Sequence, residues 1–135
     1  MNRDDFDFCL YYAINQTNLR TVENLLEMNK GLRPYSTALN DVWRNNKPDT
    51  KSRVEMASLL ILYGAEVNEI DSYGETPLIM ACQGSVECMQ LLLGAGADPN
   101  KSGKSGLTPL MAVNMSRSSS CDMMVNALKN AGAKA

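Results

Sequence analysis

The chain has 135 residues, 44% of them hydrophobic and 21% charged, and carries a net charge of -2. That length suits one domain with a real core, and so small a charge gives no global pull toward nucleic acid or an anionic membrane. Histidine is absent, which removes the commonest general base, every triad that needs imidazole and most catalytic zinc sites.

The first residues, Met1-Asn2-Arg3-Asp4-Asp5, run straight into a helical pattern rather than a charged-then-apolar leader. Asp4, Asp5 and Asp7 suit a helix N-terminus electrostatically. Phe8, Leu10, Ala13 and Ile14 are expected as the core of this helix, and Val22, Leu25 and Leu26 as that of the next. Gly31 is a plausible left-handed stop after it. A second helix pair begins near Pro34-Tyr35-Ser36-Thr37-Ala38-Leu39, with Val42 and the large Trp43 further on. Trp43 requires either a different helix spacing or a place at an edge. The polar, basic stretch from Arg44 to Ser52 forms an extended inner turn. A helix from Arg53 to Tyr63 follows, burying Met56, Leu59, Leu60 and Ile61.

The third pair has the clearest local chemistry. Gly74 opens a tight turn, Thr76 caps the next helix through its hydroxyl, and Pro77 takes the first helical position, where no backbone donor is needed. Leu78, Ala81 and Cys82 fall on one side of that short helix. Cys88, Met89, Leu91 and Leu92 line the next, which ends apolar at Leu93 and stops at Gly96 before the Asp98-Pro99-Asn100 turn. In the fourth pair Gly106-Leu107-Thr108-Pro109-Leu110-Met111 repeats the signature, with Val113 beyond it. The inner turn from Met115 to Ser120 is again long, and the last helix carries Met124, Val125 and Leu128. A Gly-Ala stop recurs at Gly64-Ala65, Gly96-Ala97 and Gly132-Ala133. Bottom-up, this is an all-α array of four amphipathic helix pairs with turn chemistry between them.

Turn glycine, capping threonine, proline, small-residue helix face, leucine run and Gly-Ala stop occur in order from Gly74 to Asn100, and this unit closely resembles the ankyrin repeat. The resemblance covers essentially the whole chain, most strongly from Val54 to Leu110. It implies one domain over 1–135, a solenoid of helix–turn–helix units with short hairpin-like fingers, divided at about 1–33, 34–69, 70–101 and 102–135. The first unit then acts as an N-terminal cap, with Phe6 where the turn glycine would stand. Lys129 and Asn130 replace the apolar end of the final helix, as suits an outer face with no neighbour. In the family a histidine after Thr-Pro-Leu ties neighbouring loops together; here Ile79 holds that place, and the loop Cys82-Gln83-Gly84 is one residue short.

The resemblance also implies a function: non-catalytic protein binding through a concave surface of finger tips and exposed inner-helix side chains. Carried over position by position, that surface comprises Tyr12, Tyr35, Arg44, Ser72, Tyr73, Glu75, Met80, Gln83, Lys104, Ser105, Leu107 and Met115. Tyrosine, methionine and arginine are enriched in interfaces, and neither turn nor core calls for a large side chain at Tyr73, Met80 or Leu107. Met56, Met89 and Met124 fall on core positions, so packing explains them. The expected partner is another protein, with no nucleic acid, no membrane, no cofactor and no metal, and the chain is expected to be a monomer when free. A dedicated stoichiometric inhibitor, such as an antitoxin, an immunity protein or one that neutralises a host or competitor enzyme, is the alternative within the same fold.

Other chemistries fare worse. Arg53, Glu55, Glu66, Glu69 and Asp71 read as solvated charges, because nothing in their spacing fixes a carboxylate pair at catalytic separation. Lys101-Ser102-Gly103-Lys104-Ser105-Gly106 contains Gly-Lys-Ser, but a phosphate loop needs a glycine where Asp98 stands and a helix starting at the lysine. It is expected to be a finger loop. Ser116-Arg117-Ser118-Ser119-Ser120 reads as a polar loop rather than a modification segment. No apolar run approaches membrane-spanning length, the longest lying near Leu59–Leu62. Cys9, Cys82, Cys88 and Cys121 show no metal or redox spacing, and three occupy expected core positions. A cytoplasmic or other reducing intracellular location without a secretory signal peptide is therefore expected.

Overall fold

A computed structural model describes residues 2–16, 18–44, 50–82, 86–116 and 121–133. They form eight α-helices: α1 Arg3–Asn15, α2 Leu19–Met28, α3 Ala38–Arg44, α4 Thr50–Leu62, α5 Pro77–Cys82, α6 Val86–Gly94, α7 Pro109–Ser116 and α8 Cys121–Asn130. Among the described residues there is no strand, and no helix is long and apolar enough to cross a membrane. The chain divides into two compact units, Met1–Glu66 and Val67–Ala135.

In the first unit α1 packs on α2, α3 on α4, α1 beside α3 and α2 beside α4, so two helix pairs stack in register. Asn2 caps α1 by accepting from the Asp5 amide at 2.8 Å, and Asn18 caps α2 by accepting from the Thr21 amide at 3.1 Å. Phe6, Leu10, Ala13 and Ile14 are buried on α1, Val22 and Leu26 on α2, Leu39 and Val42 on α3, Met56, Ala57 and Leu60 on α4.

Several expectations change here. Phe6 does not stand in a turn: it lies inside α1 and is fully buried, while Phe8, expected in the core, is 70% exposed. A helix starting at Arg3 puts Phe6, Leu10, Ala13 and Ile14 on one stripe at i, i+4, i+7 and i+8, and Phe8 faces the other way. Gly31 is not left-handed; the positive-φ glycines are Gly64, Gly74, Gly96, Gly106 and Gly132. Leu25, Leu59 and Ile61 are only half-buried. Trp43 is buried rather than at an edge, and α4 begins three residues before the expected Arg53. Its lengthened start belongs to the inner turn, whose residues 45–49 lie outside the described ones, as do Gln83, Gly84 and the serine run from Arg117 to Ser120.

The second unit repeats the stacking: α5 on α6, α7 on α8, α5 beside α7 and α6 beside α8. Its core is Leu78, Ile79, Ala81, Cys88, Met89, Leu92, Ala112, Val113, Met124 and Leu128. Met56, Met89 and Met124 occupy the core, as packing required. Each outer helix is stopped as the sequence indicates. Ala97 N–H donates to Leu92 O at 3.0 Å across Gly96, and Ala133 N–H to Leu128 O at 2.9 Å across Gly132. Leu92, fully buried on α6 with α5 and α8 as neighbours, gives a direct check. Leu92→Ala should destabilise the chain by about 2–5 kcal/mol through lost burial and a residual cavity. Chemical denaturation would measure it, and a loss well under ~1 kcal/mol would refute this packing.

Candidate functional site

The fingers are built from the same hydrogen bonds in two successive copies. Gly74 N–H donates to Asp71 O and Asp71 N–H to Glu75 O, both at 3.0 Å. One repeat later Gly106 N–H donates to Gly103 O and Gly103 N–H to Leu107 O, at the same distances. Gly74 and Gly106 occupy the turn with φ of 82° and 84°, a conformation costly for other residues. The threonine caps then launch the inner helices. Thr76 Oγ1 accepts from the Ile79 amide and Thr108 Oγ1 from the Met111 amide, each at 3.2 Å. The Gly-Lys-Ser string therefore lies in a finger, with α7 starting only at Pro109.

Asp71 departs from its expected role as a solvated charge. It is buried, and its carboxylate Oδ1 accepts from the Tyr73 amide at 3.0 Å and the Glu75 amide at 3.1 Å. Those two bonds hold the finger that presents Tyr73, an Asx-type arrangement.

The two fingers are joined backbone to backbone. Lys104 N–H donates to Gly74 O at 3.0 Å. The approach is so close that a Cβ on Gly103 would lie 2.2 Å from Gly74 O. Beneath them Ile79, where the family's histidine would stand, is fully buried, with its Cδ1 3.6 Å from that same Cβ position. An apolar plug and a main-chain bond thus do here what a side-chain hydrogen bond does in the family pattern. Farther from the tips, Asn68 Nδ2 donates to Gly96 O at 3.3 Å and its Oδ1 accepts from the Asp98 amide at 2.7 Å, while Asn100 Nδ2 donates to Gly132 O at 3.1 Å. Each asparagine satisfies a carbonyl at the next repeat's helix stop. Sequence reasoning overlooked both, although they recur at the same offset after the Gly-Ala pair.

A cleft of about 370 Å³ opens at the fingers, lined by Tyr73, Gly74, Glu75, Ile79, Gly103, Lys104, Ser105 and Leu107. Five of the twelve expected site residues, Tyr73, Glu75, Lys104, Ser105 and Leu107, converge on it. Tyr73 is 72% exposed. Ser72 is exposed next to it, and Met115 is exposed on α7.

Met80 is a correction: it is buried, like every residue of α5, and is no free anchor. The six residues Pro77–Cys82 include no charged or amide side chain, and a helix apolar all round has no solvated face; that was the available signal. Gln83 lies outside the described residues.

In the first unit Tyr12 is exposed, joined on the same face of α1 by Phe8 and Tyr11 at i, i+3 and i+4 spacing. Tyr35 is half-buried, its hydroxyl donating to Asp41 Oδ2 at 2.5 Å and its ring 6.4 Å from that of Tyr11. Burial, then the Asp41 carboxylate, pushes its phenol far above the ordinary value. Tyr35 is thus committed to its neighbours. Arg44 is half-buried at the end of α3.

Among the described residues no group of three or more His, Cys, Asp or Glu side chains is placed to hold a metal ion. Cys82 and Cys88 are buried, whereas Cys9 and Cys121 are half-buried, so two rather than three thiols belong to the core. Burial pushes the Cys82 thiol up to about 12, which leaves it protonated and unreactive near neutrality.

Comparison with known families finds ankyrin repeats, described as three copies, matching over residues 10–103 and again over 50–134. The chain belongs to the ankyrin-repeat family. Repeats of this family are generally protein–protein interaction modules and typically non-catalytic. A search of curated proteins finds no match.

Two predictions follow from the geometry of the fingers and thiols. Gly103→Ala should cost about 1–3 kcal/mol, because its methyl group meets backbone rather than a yielding side chain. Gly94→Ala, in α6 with open space around it, should leave stability unchanged or raise it by about 0.4–1 kcal/mol. Equilibrium unfolding of the pair separates a required close approach from a generic glycine effect. In native protein, alkylation followed by mass spectrometry should modify Cys9 and Cys121 while sparing Cys82 and Cys88 until denaturant is added. Rapid labelling of Cys82 in the folded chain would contradict the buried thiol.

Proposed function

We propose that this chain is a non-catalytic binding module that engages a partner protein through the finger cleft of residues 73–107. The observation that carries the reading is the convergence of Tyr73, Glu75, Lys104, Ser105 and Leu107 on one cleft. The fingers are pinned from below by the Lys104–Gly74 bond and by buried Ile79. A rigid base with exposed, mutually close side chains reduces the ordering cost of binding. The cleft is mixed in character: an aromatic ring and a leucine supply apolar contact, while one carboxylate and one ammonium on its walls select for complementary charge.

Partner capture from the source cell, followed by calorimetry with the captured protein, tests this. Tyr73→Ala and Leu107→Ala should each weaken binding by about 1–4 kcal/mol. The exposed Tyr73 variant should keep its stability within about 0.5 kcal/mol. If both variants bind as tightly as the parent chain, the cleft is not the site. A single partner held tightly in equimolar complex would make the module a stoichiometric inhibitor; several weaker partners would make it an adaptor.

A further inference from the structure

The first unit carries a second concave feature, on its outer helices. Leu19 and Glu23 of α2, one turn apart, face Val54, Glu55, Leu59 and Leu62 of α4 across a groove of about 380 Å³. Spacing builds it: Glu55, Leu59 and Leu62 recur at i, i+4 and i+7 on one side of α4, while Met56, Ala57 and Leu60 on the other side fill the core. Core packing therefore makes no demand on Leu62, which is 76% exposed, and an exposed leucine at a groove's edge brings solubility cost without folding return.

Among the described residues the only charges lining the groove are Glu23 and Glu55, and neither carboxylate is in an ion pair with a described residue, although Arg20 and Lys51 lie exposed one turn before them on the same helices. The next acid along α2, Glu27, differs: it accepts from the Tyr63 hydroxyl and pairs with Lys30 at 3.0 Å, which together hold its carboxyl below the usual value.

We propose that this α2/α4 groove docks a helical segment of a partner protein that offers leucine-like side chains flanked by lysine or arginine. The apolar floor takes the side chains, and the two carboxylates pair with the flanking cations, a helix-in-groove mode. Charge decides among occupants. A second copy docked face to face would set Glu23 and Glu55 against the same acids, and an anionic lipid surface would meet the same repulsion. The site is independent of the finger cleft and stands or falls separately from it.

The probe is a short helical peptide with leucines at i, i+3, i+4 and i+7 flanked by lysines, with a twin carrying glutamates instead. Amide chemical-shift mapping on the isotope-labelled full chain should show the lysine peptide perturbing Leu19, Glu23, Ser58 and Leu62, and the glutamate twin perturbing none of them. Leu62→Ser, at an exposed position that leaves folding intact, should weaken binding about tenfold or more. Glu23→Gln with Glu55→Gln should weaken it about three- to tenfold and reduce its salt dependence. Tyr73→Ala should change nothing. The proposal is overturned if the groove amides do not move, if the glutamate twin binds equally well, or if the double glutamine variant binds as the parent does. It is overturned equally if sedimentation shows a dimer that Leu62→Ser dissolves, or if anionic vesicles retain the chain through Leu62.

Discussion

After α4, α6 and α8 the chain reverses through a glycine in the left-handed region, and this stop fixes where each of those helices ends. At Gly64, Gly96 and Gly132 φ is 95°, 100° and 103°, values that penalise a Cβ. The reversal satisfies the helix end from two sides. The chain's own amide bonds back across the glycine, and at Gly96 and Gly132 an asparagine from the preceding loop caps the carbonyl. At Gly64 no equivalent tie is made among the described residues. There the Arg33 side chain packs instead, its Nε 3.2 Å from where a Cβ would stand. Short-range geometry at these stops thus works together with burial between neighbouring helix pairs.

Fingers inherit their shape from the same economy. Asp71 and Gly103 are equivalent positions with different solutions. Asp71 organises its finger through its own carboxylate, and Gly103 allows its finger to approach the neighbour's carbonyl closely. An aspartate at the second position would meet Gly74 O, so the later finger relies on backbone bonds alone. What the two share is a rigid base beneath variable tips. Tyr73, Lys104 and Ser105 at those tips are exposed and contribute little to the core.

The legibility of the sequence tracks how strongly local chemistry fixes the register. From Thr76 to Ala97 capping threonine, proline and stop glycine fix the register, and from Thr108 to Val113 threonine and proline do; Leu78, Ala81, Cys82, Cys88, Met89, Leu92 and Val113 are buried as read. The ankyrin-repeat class was legible on those residues. Repeat one has no turn glycine, so its register hung on choosing between Phe6 and Phe8, two residues apart and therefore on opposite sides of the helix. The N-cap at Asn2, which settles the choice, lies within a run of polar residues that offers several start points. Met80 failed for another reason. An offset from the Leu78–Ala81–Cys82 stripe does not bring exposure here, because a short helix with α6 and α7 both packed on it buries its whole circumference.

Asp71, Asn68 and Asn100 show what pattern reading misses in kind. Each is a polar residue in a loop, and composition alone assigns such residues to solvent. Their work is visible only in the partner: two amides of the chain's own finger for Asp71, a helix-stop carbonyl in the next repeat for the asparagines. For Asp71, whose bonds are part-buried, an unpaired buried amide would cost about 1–3 kcal/mol, comparable to a core methylene or two, whereas the asparagine bonds lie at exposed helix stops. Glu23 and Glu55 line a groove, and Lys104 uses its backbone for structure while its side chain stays exposed. Under the binding modes proposed above, recognition rests on charges set beside apolar surface that the core does not need.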